Sequence, residues 1–227
     1  MAVMDDITLA VFSVLGGRLS EKTAGEQFRT NSAAWPGREG KYIEDQAALT
    51  AFSYGRAGKL SRILFFKGRE LTAAENACEV IAAYNALLSM GKPEGFPELL
   101  REFAGNGICA RGVFGTDPGA VRRFFGRRGF GCEMLKGKKL TEERLRKLAA
   151  EYDCFIFSSF NRGHNPFSMV HTMCVTKEER ERFCVHNDHG GCRKAKGLPE
   201  AVFGYNNGRS SAILVLGIMS FRAERTK

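Results

Sequence analysis

At 227 residues and 44% hydrophobic side chains, the chain can bury a substantial core, as one large domain or two small ones. No run approaches eighteen apolar residues, which excludes a membrane-spanning helix. The formal charge of +9 permits attraction to polyanions, but charge of this kind bears on encounter and solubility rather than on function.

The seven cysteines are odd in number and hold no framework spacing, and no charged segment followed by an apolar run and a small-residue cleavage site opens the sequence. Reduced thiols and a cytoplasmic location are therefore expected.

In chain order, Asp5 to Leu15 reads as a helix apolar nearly all round, ended by Gly16-Gly17. Ser20 to Gly40 is polar, with a Trp35-Pro36-Gly37 turn signal, and reads as a loop or arm. Tyr42 to Phe52 is expected to be helical and Arg62 to Phe66 a short strand. Two caps compete for the next helix, Thr72 with Glu75 and Asn76 with Glu79. With Asn76 as cap, Cys78 falls in the first turn, where unpaired N–H groups favour a thiolate; with Thr72 it lies a turn deeper. Val80, Ile81, Tyr84, Leu87 and Leu88 continue at helical spacing to Gly91.

Pro97 to Phe103 is a short helix, Thr116 or Asp117 caps another that starts at Pro118, and Thr141 to Ala150 is a third. A strand follows over Cys154 to Ser158. Met169–Thr176 and Arg182–His186, apolar and β-branched around a charged turn, read as a β-hairpin. A helix near Leu198–Tyr205 and a strand over Ala212–Phe221 complete the sequence. Helices come mostly early and strands late, which points to an α+β fold.

The hairpin sets His171 on one arm beside Asn187 or Asp188 at the end of the other. An amide or carboxylate next to an imidazole fixes its tautomer, as the base of a nucleophile requires. Cys78 is the upstream thiol best placed to be that nucleophile. Packed as a small hydrophobe on a helix face, the same cysteine would do no chemistry.

This order of parts, a Cys at a helix start, a helix after GTDPG, then His on a strand and Asn-Asp after the hairpin, resembles the C39-like branch of the papain-like cysteine peptidases from about Glu70 to Phe221. The resemblance implies a papain-like fold in which a nucleophile helix packs on an antiparallel sheet. It implies Cys78 as nucleophile, His171 as base, and Asn187 or Asp188 as orienter. Residues 1–67 are then an N-terminal helical extension or arm, and 68–227 the papain-like domain. The family usually carries Gln several residues before the Cys and Gly just after it. Here Thr72 and Glu79 stand at those places, and the only glutamines are Gln27 and Gln46. Asn76 is the nearest substitute donor for the oxyanion, with the Cys78 N–H beside it. Either an active hydrolase with an altered oxyanion hole, acting on a peptide or protein without a cofactor, or a silent binding module on the same fold fits these residues.

Two other patterns compete. Cys184, His186, His189 and Cys192 are dense in soft ligands, but C-x-H-x2-H-x2-C matches no familiar zinc module, and no metal is expected. Were a metal there, the same loop would have to serve it and the Asn187–Asp188 pair. The cluster of Arg122, Arg123, Arg127, Arg128, Lys136, Lys138 and Lys139 near Phe124, Phe125 and Phe130 suits a nucleic-acid surface, yet reads more simply as a solvated helix face over core aromatics.

Overall fold

In the computed structural model, which describes residues 16–56, 70–161, 170–178, 182–205 and 212–220, the late part of the chain builds one antiparallel sheet. The strands in chain order are Gly16–Gly17 (β1), Ser53–Arg56 (β2), Glu70–Thr72 (β3), Ile108–Cys109 (β4), Gly131–Lys136 (β5), Cys154–Phe160 (β6), Val170–Lys177 (β7), Phe183–His186 (β8), Cys192–Ala195 (β9) and Ala212–Met219 (β10). The α-helices are Glu21–Ala34 (α1), Ala73–Asn76 (α2), Cys78–Ser89 (α3), Phe96–Gly105 (α4), Pro118–Arg127 (α5), Glu142–Glu151 (α6) and Leu198–Phe203 (α7). The segments expected over Asp5–Leu15 and Arg62–Phe66 fall outside the described residues.

The six-stranded sheet runs β5-β10-β6-β7-β8-β9, with every neighbouring pair antiparallel. Side-chain alternation gives it two apolar faces. Along β6, Cys154 and Ile156 turn toward the core containing α3, α4 and α5, while Phe155 and Phe157 turn toward α6 and α7. The protein is therefore α+β, with the sheet covered on both sides. Among the described residues no helix is long and apolar enough to cross a membrane.

The helix starts follow local chemistry. Asp117 caps α5 by accepting from the Gly119 N–H at 2.8 Å, and Thr141 caps α6 by accepting from the Arg144 N–H at 3.3 Å. Strands β5 and β9, the two sheet edges, are additions to the sequence reading, since GCEMLK and CRKA lack the apolar alternation of the central strands.

The N-terminal segment departs most from expectation. Ser20–Gly40 is not a loop: Ser20 caps α1, accepting from the Thr23 N–H at 3.2 Å. The buried face of α1 includes Thr23, Gln27 and Asn31, so its amphipathicity is hidden from hydropathy. These polar groups bind strand β2. Asn31 brackets the Ser53 backbone at 2.9 and 2.7 Å, and Gln27 brackets that of Gly55 at 2.9 and 3.3 Å. Conversely, Tyr42–Phe52 is not an α-helix. The Asn85 side chain pairs with both backbone groups of Ile43 at 2.9 Å, holding that residue out of a helical ladder, and only Gln46–Ala48 turns, as a 3-10 helix. Leu19, Trp35, Ile43, Leu49, Phe52 and Tyr54 belong to the same core as α3 and α4. Described residues 16–56 are thus a built-in part of the domain rather than a separate arm.

Candidate active site

The competing caps before Cys78 are resolved by a break in the helix. The Thr72 N–H donates to the Glu75 carboxylate at 2.9 Å and α2 starts there; Ala77 then leaves helical geometry at φ −103°, and α3 starts afresh with Cys78. Cys78 is therefore the first residue of a 12-residue helix, although Ala77 and not Asn76 precedes it as cap. First-turn N–H groups and the positive end of the helix dipole meet at that point. The side-chain amide of Gln46 donates to the carbonyls of Ala73 and Ala74 at 3.1 and 3.2 Å, closing the α2 turn from outside.

Asn76 does not serve as an oxyanion donor. Its amide donates to Tyr54 O at 2.8 Å and to Gly112 O at 2.6 Å, which uses both hydrogens. Gly112 is held at φ 102°, and a Cβ there would stand 2.9 Å from both the Asn76 amide nitrogen and Gly55 Cα, so glycine is required. Asn76→Ala should lower stability by about 2–4 kcal/mol, because two buried carbonyls lose their donor. The expected readout is a lower urea midpoint at unchanged m-value.

His171 lies at the start of β7, and its Nε2 is 2.7 Å from the backbone carbonyl of Asn187. A carbonyl only accepts, so Nε2 carries the hydrogen and Nδ1 keeps its lone pair. The imidazole is thus oriented by main chain and by neither expected side chain. The Asn187 side-chain oxygen accepts from the Gln46 N–H at 3.0 Å, and the Asp188 carboxylate accepts from Arg193 Nε. Asn187 sits at φ 63°, a conformation Asn tolerates, and its N–H donates to Glu44 at 3.2 Å. Burial lowers the His171 pKa and the Asn187 carbonyl opposes that, so the ring is neutral near pH 7, as a base must be. His189 and Tyr205 stack at 5.2 Å beside it.

Cys78 and His171 line one cavity of about 710 Å³, together with Gln46, Glu75, Asn161, Asn187 and His189. A second cavity of about 550 Å³ between α6 and α7 contains neither group. Cys78 is nearly covered, at 7% exposure, and its sulfur lies 4.0 Å from the carbonyl of Val170, the neighbour of His171.

No hydrogen bond joins thiol to imidazole. The Cys78 thiol donates instead to Glu79 at 3.2 Å, and Thr172 Oγ1 donates to the other oxygen of the same carboxylate at 3.2 Å. Glu79 is 2% exposed, and burial pushes its pKa up to about 7. Burial likewise raises the Cys78 thiol well above its usual range, with Glu79 adding to the rise and Thr172 opposing it.

Outside the cleft, Cys184 and Cys192 are joined in a disulfide, which corrects the expectation that every thiol is free. His186 bonds Glu44 at 2.6 Å and Thr176 at 2.8 Å, whereas His189 points to the Tyr205 stack, so the four residues do not form one cluster. Three of the seven basic residues of the patch are held in ion pairs. Arg128 pairs with Glu94 and Glu102 at 2.9 and 2.6 Å, Arg127 with Glu102 at 3.3 Å, and Arg123 with Asp117 at 2.9 Å. Phe124 and Phe125 are fully buried, leaving neither for base stacking.

Sequence reading missed Glu44 and Gln46, which reach the site from a segment expected to be helical. An acidic and an amide residue one position apart give no signal of their own. No protein-family model matches the chain, and no curated protein matches it either.

Proposed function

We propose that this protein is a thiol-dependent hydrolase of peptide or other amide bonds, on a papain-like scaffold of the C39-like kind. One observation carries the reading: a thiol on the first residue of α3 and an imidazole with its tautomer fixed by a carbonyl open into the same cleft. In the reaction the thiol turns from Glu79 toward His171, and Nδ1 takes its proton. The thiolate attacks the substrate carbonyl, and first-turn N–H groups of α3 hold the oxyanion in place of a side-chain donor. His171 then protonates the leaving amine, and water, deprotonated by the same nitrogen, releases the acyl group. No cofactor enters these steps.

The bond from Cys78 to Glu79 favours a second reading, a silent binding cleft on the same scaffold, because the carboxylate keeps the sulfur protonated. Alkylation separates the two. With iodoacetamide near neutral pH, a hydrolase should react first at Cys78, and His171→Ala should slow that reaction about tenfold by removing the acceptor of its proton. Cys78→Ser should abolish turnover of a quenched peptide library. Reaction at Cys78 no faster than at half-buried Cys132, with no effect of His171→Ala, would reject the hydrolase in favour of the silent cleft.

A further inference from the structure

We propose that Cys184, Cys192, His186 and Glu44 form a binding site for a thiophilic divalent cation, zinc above all, when the Cys184–Cys192 disulfide is reduced. Ligand atoms of Cys184, His186 and Cys192 all lie within 4.8 Å of one another. Glu44 Oε1 is 2.6 Å from His186 Nδ1, which adds a fourth donor of the kind zinc accepts. With Zn–S near 2.3 Å and Zn–N near 2.0 Å, tetrahedral ligand atoms stand roughly 3.3–3.8 Å apart. The 3.8 Å between Cys184 Sγ and His186 Nδ1 falls in that range, Glu44 has to draw back by less than an ångström, and the two sulfurs, once reduced, have to part to that spacing.

The surroundings are those of a supported ligand set. In the disulfide form His186 Nδ1 donates to Glu44; when the cation binds, the ring hydrogen sits on Nε2 instead, where Thr176 Oγ1 at 2.8 Å accepts it, and Nδ1 ligates. Tyr42 stacks on the imidazole at 4.2 Å and fixes the ring plane. The second Glu44 oxygen accepts from the Asn187 N–H at 3.2 Å. Cys184 and His186 are buried, while Cys192 is exposed and gives the ion a way in.

This site and the cleft use different atoms of one loop. His186 precedes the residue whose carbonyl orients His171, so an ion here would brace that carbonyl without touching the substrate cavity. Sequence reading set metal and hydrolase against each other over this loop; the geometry accommodates both.

The reaction balances simply. A phosphine reductant and water convert the disulfide to two thiols and the phosphine oxide, and each thiol then gives a proton to solvent as its sulfur binds the cation. The test uses the full chain, reduced with a phosphine, desalted anaerobically, and titrated with zinc or cobalt. One equivalent should bind, and the cobalt form should show tetrahedral visible bands with a thiolate charge-transfer band. Glu44→Gln should weaken binding tenfold or more, and Cys184→Ser with Cys192→Ser should lose it. Cys78→Ser should bind like the parent, which separates this proposal from the hydrolase reading. Zinc should also raise the melting temperature of the reduced parent, a readout that needs no variant to fold. Failure of the reduced parent to bind an equivalent of either metal, binding that survives the double serine variant, or a cobalt spectrum without thiolate charge transfer would overturn it.

Discussion

Replacing Glu79 by Gln should make Cys78 react with iodoacetamide ten to a hundred times faster at pH 8, since each unit of thiol pKa is a factor of ten in thiolate. In the parent protein burial comes first in holding the thiol up, and the adjacent carboxylate adds to it both by charge and by accepting the thiol hydrogen. Gln keeps the shape and a carbonyl acceptor for Thr172 but carries no charge. A slower reaction in the variant would mean the reverse, that Glu79 is the group that takes the proton from sulfur.

Stability should move with it. The folded pKa of Glu79 is raised to about 7 from an ordinary 4.5, so the fold favours the neutral acid. That contribution is complete below the unfolded pKa and is lost as pH rises through the folded one, because the unfolded chain ionises first. Its full span is on the order of 3 kcal/mol. Glu79→Gln should therefore match the parent near pH 4 and exceed it by about that amount above pH 8, read from urea midpoints across the range. Parallel pH profiles for the two proteins would contradict this.

Trp35→Ala should cost about 3–5 kcal/mol, as expected for removing a large buried ring that its neighbours cannot replace. The indole meets Phe52, Tyr84 and Phe96 at centroid separations of 5.9, 5.5 and 5.5 Å, joining the N-terminal segment to α3 and α4. A loss that large in a single cooperative transition is the signature of one folding unit. Were residues 16–56 a detachable arm, the substitution would leave the main transition unmoved and release only a minor early phase.

The hairpin was legible because two rules coincide there. Alternating apolar residues around a charged turn specify antiparallel pairing, and the observed register, Cys174 opposite His186, brings His171 to Asn187 as the loop begins. Helices α4, α5 and α6 were legible from caps and apolar spacing. The structure also shows where such rules stop. Helix α1 docks through Gln27 and Asn31, whose amides imitate a neighbouring strand, and a hydropathy pattern has no means of registering that. Ile43, Leu49 and Phe52 look like a helix face but enter the core from irregular chain: Asn85, 42 positions later, pins the backbone of Ile43, and Leu49 ends a 3-10 turn.

Of the residues singled out in the sequence, Cys78 and His171 line one cavity, while their expected attendants are placed otherwise. Asn76 was suspected for its position before the cysteine, yet its amide is spent on the carbonyls of Tyr54 and Gly112. Asn187 was suspected for its side chain, yet it is its backbone carbonyl that meets His171. Glu79, at the place where the family usually carries Gly, turns inward onto the thiol. Which way a single side chain turns depends on what packs over it, here Thr172 from a strand 93 residues on.

Strand β10, the last one described, lies in the interior of the sheet between β5 and β6. During synthesis, then, β5 and β6 wait with an empty slot between them until residues 212–219 have left the ribosome. A product terminated before that point would lack the strand that joins β5 to β6, not a dispensable tail. Whatever the cleft does, a fragment that ends before residue 212 cannot assemble the continuous six-stranded sheet.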